Sequence, residues 1–367
     1  MSPLQTEPGE TRSHPPHRWY LRPWLLLLTT IVLGASAIGW PICLKLRAIA
    51  AFNNAEFQVV FVRTVEPNFV QRAFAWLPPA LYCDFATVCG RLPRDPNAAQ
   101  QLIDLLPQIS PVVSLTLSDA DEELPIGFNK GRPIEHEFVL RPIASPVRIT
   151  LPRLPSLQKL KLTRVELEPL FFDHLQASPD LTVLELQGVA LDQDDIAKIG
   201  QLPALTTLIL EYCLADGADL TTLAGSQTLE RLTLRDPQLS DSSVASLAKV
   251  KKLHSLRIME AQISSAAFEP FQQCDINELF LKQIPLKDRD VEQILQYLPR
   301  IEYLALEKLA MTDQTTVPLM ELSQLQYLEL DGIELSPKLR DRLANRRFKW
   351  LRINSEFVTS GHREQTE

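Results

Sequence analysis

The chain has 367 residues, 45% hydrophobic and 22% charged, a globular composition well clear of the disordered range and rich enough in apolar side chains to bury a core. Its net charge of -8 lies wholly in the C-terminal part, because residues 1–150 carry 13 Lys+Arg and 13 Asp+Glu and leave 24 against 32 for residues 151–367; an acidic domain is a poor general binder of phosphate backbones. With 12 Gly against 28 Pro and neither GxxxxGK[ST] nor GxGxxG present, the phosphate-loop motifs are excluded, and the five Cys form no CxxC.

Residues 1–23 form an N-terminal tail, followed by a run from Trp24 to Leu44 that holds no charge. As a helix this run spans roughly 31 Å at about 1.5 Å per residue, enough for a bilayer core. Trp19, Tyr20 and Trp24 stand at one end and Trp40 at the other, where aromatic rings settle at membrane interfaces. The competing reading is a cleaved signal peptide, since Ala35-Ser36-Ala37 is an AxA-like site, but the apolar run continues past Ala37 to Leu44 and favours an anchor. Arg12, Arg18 and Arg22 before the span outnumber Lys45 and Arg47 after it, so both readings export the remainder of the chain.

Residues 45–110 are expected to form a juxtamembrane stalk or N-terminal cap. The run FAWLPPALYCDF is apolar, yet Pro78, Pro79 and Asp84 argue against a second span. Cys83 and Cys89 either pair, if the compartment is oxidising, or stay as buried thiols. Asn97 to Leu106 reads as a helix and Val112 to Leu117 as a strand. Residues 111–156 read as an irregular first repeat, interrupted by the acidic DADEE, by a hairpin turn at Asn129-Lys130-Gly131 and by a second strand in VRITL.

From Leu157 an LxxLxL hexad recurs as LQKLKL, LTVLEL, LTTLIL, LERLTL, LHSLRI, INELFL, IEYLAL, LQYLEL and FKWLRI. The hexads open at residues 157, 181, 205, 229, 253, 276, 301, 325 and 348, a period of about 24. Five residues after the hexad stands another apolar side chain, as in Leu167, Leu191, Leu239, Ile263, Leu286, Met311 and Leu335. A helix-starting residue follows it at Asp192, Ser240, Ser264, Thr312 and Ser336, and apolar spacing then turns helical, as with Ile196, Ile199 and Leu202. Each unit is a short strand, a turn and a short helix that cannot bury its apolar face alone, so the units must stack.

On these hexads the chain resembles the leucine-rich-repeat family over residues 157–353, about nine repeats, and with its apolar run it is similar to short single-pass bacterial members. The resemblance implies an α/β solenoid with a parallel sheet on the concave face, short helices on the convex face, and use as an interaction module. One departure stands out. The slot that often holds Asn in that family is filled by Val165, Val189, Cys213, Pro237, Ala261, Ile284, Leu309 and Ile333, so the turns must find hydrogen bonds elsewhere. Residues 354–367, polar after Phe357, are expected to form a disordered tail.

Candidate chemical sites read as structural. Asp192 to Asp195 is half a calcium loop, but Asp216, Asp241, Asp288 and Asp313 occupy the same slot in other repeats, which helix capping explains. His136 lies between Glu135 and Glu137 without HExxH spacing, and His254 lies outward beside Arg231 and Arg257 without a nucleophile. The basic stretch from Lys338 to Arg352 suits a polar cap better than a nucleic-acid grip. No catalytic residue, metal ligand or cofactor is assigned.

Hexad position 3 places Tyr303, Tyr327 and Trp350 in one outward column, where earlier repeats carry Lys159, Val183, Thr207, Arg231, Ser255 and Glu278. Phe280 is expected to extend it, and Glu302, Glu329 and Arg352 flank it, the composition of a protein-binding hot spot. The expected function is therefore a membrane-anchored scaffold for a protein or peptide partner, with no nucleic acid. The rivals are a structural envelope protein, a degradation adaptor with a module in residues 60–95, and an enzyme with an active site in residues 45–150, for which loss of hydrolase activity on mutating His136 or Asp84 would speak.

Overall fold

A computed structural model describes residues 44–55, 57–62, 85–109, 112–118, 147–214, 219–346 and 348–358. The apolar run up to Cys43, Cys83, the hairpin at Asn129-Lys130-Gly131 and the Glu135–Glu137 triplet lie outside them. Among the described residues no helix is long and apolar enough to cross a membrane.

In chain order the strands are β1 Gln58–Val62, β2 Phe85–Arg91, β3 Val112–Ser118, β4 Val147–Ile149, β5 Lys159–Thr163, β6 Val165–Leu167, β7 Val183–Gln187, β8 Thr207–Glu211, β9 Arg231–Arg235, β10 Ser255–Met259, β11 Glu278–Lys282, β12 Tyr303–Glu307, β13 Tyr327–Asp331, β14 Trp350–Ile353 and β15 Glu356–Phe357. Thirteen of them form one sheet in the order β1-β2-β3-β5-β7-β8-β9-β10-β11-β12-β13-β14-β15, while β4 and β6 pair separately. From β2 to β14 every pairing in the main sheet is parallel, and an antiparallel strand closes each end.

The hexad explains this order. Its fourth and sixth positions, from Leu160 and Leu162 to Leu328 and Leu330, point inward at 0–1% exposure and stack from strand to strand. Burying each such leucine is worth about 1.5–3 kcal/mol, and only the neighbouring repeats supply the cover. Behind the strands run short helices, among them Gln193–Gly200, Asp241–Ser246, Asp288–Tyr297 and Pro337–Asn345, with 3-10 segments at Leu220–Gly225 and Ser265–Gln273. Strands sit about 4.8 Å apart whereas packed helices need about 8–10 Å, so the stack bends around its strands and their open face is the concave one.

The helix starts follow the expected residues, with Asp192, Ser240 and Ser264 each accepting a backbone N–H from the first turn. The neighbouring aspartates do more than cap. Asp241 takes the N–H and hydroxyl of Ser264, Asp288 those of Thr312, and Asp313 the N–H of Ser336, each reaching into the next repeat.

The missing amide ladder is replaced by backbone. Seven residues after the hexad opens, the chain enters the left-handed region at Arg164, Gly188, Tyr212, Glu260, Gln283, Lys308, Gly332 and Ser355, but not at Asp236. The N–H groups of Arg164, Gly188, Tyr212, Glu260, Gln283 and Lys308 then donate to a carbonyl of the next strand at 2.7–2.9 Å. The former Asn slot is thereby freed for core packing, and Val165, Val189, Cys213, Ala261, Ile284, Leu309 and Ile333 are buried there. Pro237 is the exception and corrects the expected register. It is exposed, and Asp236 turns inward at 2% exposure, its carboxylate accepting the N–H groups of Leu214 and Gln238.

At the N-terminal end, residues 44–54 form a helix whose Ala48 and Phe52 enter the core, with Phe52 and Phe57 rings edge to face at 5.1 Å, so this part of residues 45–110 packs against the repeats. Cys89 is a free thiol, which burial pushes up. The VRITL strand pairs with Val165–Leu167 beside the main sheet. Residues 354–358, assigned to the tail from sequence, continue the sheet through β15 and the Val358 N–H to the Leu351 carbonyl.

Candidate functional site

Outward side chains at hexad positions 3 and 5 and at the residue after the hexad cover the open face. Most of its charges are paired across strands: Lys161 with Glu185, Arg235 with Glu260, Lys282 with Glu307, and Arg352 with Glu329. The Tyr212 hydroxyl joins the Arg235–Glu260 pair, and the Arg235 guanidinium lies 5.1 Å from the Tyr212 ring.

At the C-terminal end aromatic rings replace charges. Tyr303 is the direct strand partner of Tyr327, and Tyr327 of Trp350, as the hexad alignment requires. Their rings form a continuous surface, with centroids 6.3 Å apart for Tyr303–Tyr327 and 6.4 Å for Tyr303–Trp350. Trp350 also stacks on Phe357 of β15 at 5.8 Å. All three residues of the column stay half-buried.

A polar layer fixes their orientation. The Tyr303 hydroxyl donates to Glu329 at 3.0 Å, and the other oxygen of Glu329 takes the Arg352 guanidinium. Burial pushes the Tyr303 hydroxyl up, partly offset by the Arg257 and Arg352 charges, which keeps it a neutral donor. Glu329 is only 7% exposed. It is a support beneath the rings and not the surface contact its sequence position suggests.

Phe280 also departs from expectation. Its strand partner is Ala305, and the Arg257 guanidinium covers its ring at 5.8 Å. Among the described residues it contacts no ring of the column, because position 5 sets it two residues further along its strand.

The column walls a pocket of about 410 Å³ lined by Asn277, Glu278, Glu302, Tyr303, Tyr327 and Trp350. Asn277 was not singled out from the sequence; it stands at hexad position 2, and its Oδ1 is buried without a hydrogen-bond donor. Part of the basic stretch is engaged internally. Arg346 donates to the carbonyls of Leu319 and Leu322 at the end of a helix, Arg340 pairs with Glu356, and the Lys349 ammonium lies 5.9 Å from the Tyr327 ring. His254 is half-buried, and among the described residues no group of three or more His, Cys, Asp or Glu could hold a metal ion.

A 24-residue period, a register-matched parallel sheet and an apolar turn slot define a leucine-rich-repeat solenoid, with an aromatic pocket near the C-terminal end of its open face. No protein-family model matches the chain, and no curated protein matches it in sequence. Among solved structures it is similar to internalin C2 from Listeria monocytogenes, with 24% identity, coverage of 50% of this chain and 73% of that one, and a TM-score of 0.35. It is also similar to the mouse RP105/MD-1 complex, with 15% identity, coverage of 71% of this chain and 46% of that one, and a TM-score of 0.44, so it spans less than half of that second chain. The solenoid class rests on the chain's own period and strand register.

Proposed function

We propose that the protein is a membrane-anchored interaction scaffold whose open sheet face binds a protein partner, with the contact centred on Tyr303, Tyr327 and Trp350. The observation that carries this reading is the in-register, half-exposed aromatic column around a pocket, on a face whose other charges are largely neutralised by their neighbours. Tyr and Trp supply large contact area at low entropic cost, and buried aromatic anchors dominate binding energies. Tyr303 and Trp350 also shield the end of the sheet through their contacts with each other and with Phe357, so Tyr327 is the side chain whose loss separates binding from capping.

The apolar run from Trp24 to Leu44 supplies the anchor in this reading, with the repeats on the extracytoplasmic side. A helix that enters the core four residues after Leu44, at Ala48, leaves no spacer, so the cap would lie against the bilayer surface. Protease added outside intact cells or spheroplasts should remove the repeats; a protected repeat domain overturns this topology, and a soluble product cut after Ala37 overturns the anchor.

A further inference from the structure

Several acidic residues of the open face are ion-paired: Glu185, Glu211, Glu260, Glu307 and Glu329 each meet a basic side chain on a neighbouring repeat. Glu278 and Glu302 form no ion pair among the described residues, and both line the aromatic pocket. No lysine or arginine lines it. Of the nearby cations, Arg352 is held by Glu329 and Arg257 lies over Phe280, while the Lys349 ammonium lies 5.9 Å from the Tyr327 ring without lining the pocket.

Asn277, which lines the same pocket, carries a buried Oδ1 that lacks a donor. Leaving such an atom unmatched costs free energy that a donating ligand recovers. Three aromatic rings, two unpaired carboxylates and one orphan acceptor form a complementary set. Ring faces carry negative quadrupole density and attract cations, and a guanidinium adds planar stacking and several N–H donors in a fixed fork.

We infer that this pocket receives an arginine side chain of the protein partner, its guanidinium lying against the Tyr303, Tyr327 and Trp350 rings with Glu278, Glu302 and the Asn277 amide oxygen as acceptors. This rests on the reading of the open face as the docking surface and adds the chemistry of the group that docks. An apolar anchor would leave both carboxylates and the amide oxygen unmatched, and an acidic one would meet two like charges at close range.

The test uses the full-length chain in detergent micelles and short glycine-serine peptides that differ only in one central residue: arginine, its neutral isostere citrulline, leucine or glutamate. Binding is read by saturation-transfer NMR and titration. The arginine peptide should bind about tenfold tighter than the citrulline peptide, and the difference should shrink with added salt. Tyr327→Ala and the pair Glu278→Gln with Glu302→Gln should each remove most of that preference, and the melting curve of the glutamine pair should match the wild type because neither carboxylate is ion-paired. Equal binding of the arginine and citrulline peptides, or a preference for leucine or glutamate, overturns the inference. Cross-linking of the natural partner at position 327 reports on the docking face separately, so a positive result there beside no arginine preference would discard the arginine and retain the face.

Discussion

The Tyr303 hydroxyl and the Glu329 carboxylate meet at 3.0 Å across adjacent strands, and through Arg352 the same carboxylate reaches the next strand. One buried group thus joins the last three repeats beneath the aromatic column. Tyr303→Phe removes a single neutral donor and should cost about 1 kcal/mol in urea unfolding. Glu329→Ala strips Arg352 and Tyr303 of their shared partner and should cost about 2–3 kcal/mol. Equal losses for the two variants would show that Glu329 does not organise this end of the sheet.

Leu208 is fully buried in the leucine stack between Leu184 and Leu232. Leu208→Asp places an unpaired carboxylate there, at a cost of several kcal/mol, and interrupts coupling between repeats. Its thermal transition should broaden or split by circular dichroism. A sharp transition at the wild-type temperature would contradict the assigned register.

The left-handed turns permit a paired test. Gly332 has φ +62° and a Cβ there would stand 3.0 Å from Cγ of Lys308, so Gly332→Ala should destabilise by about 1–2 kcal/mol. Gln283 occupies the equivalent turn position at φ +51° with its side chain exposed. Gln283→Gly relieves the same strain and should be neutral or slightly stabilising, unlike an ordinary glycine substitution, which costs about 0.5–1 kcal/mol. A loss at both positions would argue against the turn conformation.

Glu211 gives a dependence on pH. Burial raises its pKa above the usual 4.5, against the opposing Arg235 charge. A raised carboxylate pKa means that the folded state holds more protons than the unfolded chain between the two values, so this residue's contribution to stability falls as pH rises through that window and is then constant. Glu211→Gln removes the penalty. Its melting temperature relative to wild type should therefore be more favourable at about pH 7 than at about pH 4. An equal or reversed difference would assign the cost of this site to something other than Glu211 burial.

Much of the architecture was legible because a parallel solenoid converts sequence period directly into strand register. Aligning IEYLAL, LQYLEL and FKWLRI already sets Tyr303 beside Tyr327 and Tyr327 beside Trp350, and that is how they pair. Other features depend on tertiary context that the period does not carry. Asp236 is buried in place of Pro237 because the carboxylate finds two backbone N–H donors, and nothing in the hexad specifies them. The Asn277 acceptor, the cover that Arg257 places over Phe280 and the burial of Glu329 arise from neighbours on other strands. The N-terminal helix and the β1–β2 pair lie outside the repeat and had no period to mark them.

The central claim is that a partner protein sits on the aromatic column. Its most direct test is site-specific photocross-linking in the cells that express the protein, with a benzophenone side chain at Tyr327 on the open face or at exposed Glu292 on the helix side. A discrete cross-linked protein at position 327, missing at 292 and lost when unlabelled wild-type repeats compete, is the expected result. Cross-linking that is equal at both positions, or found at 292 alone, would contradict the claim.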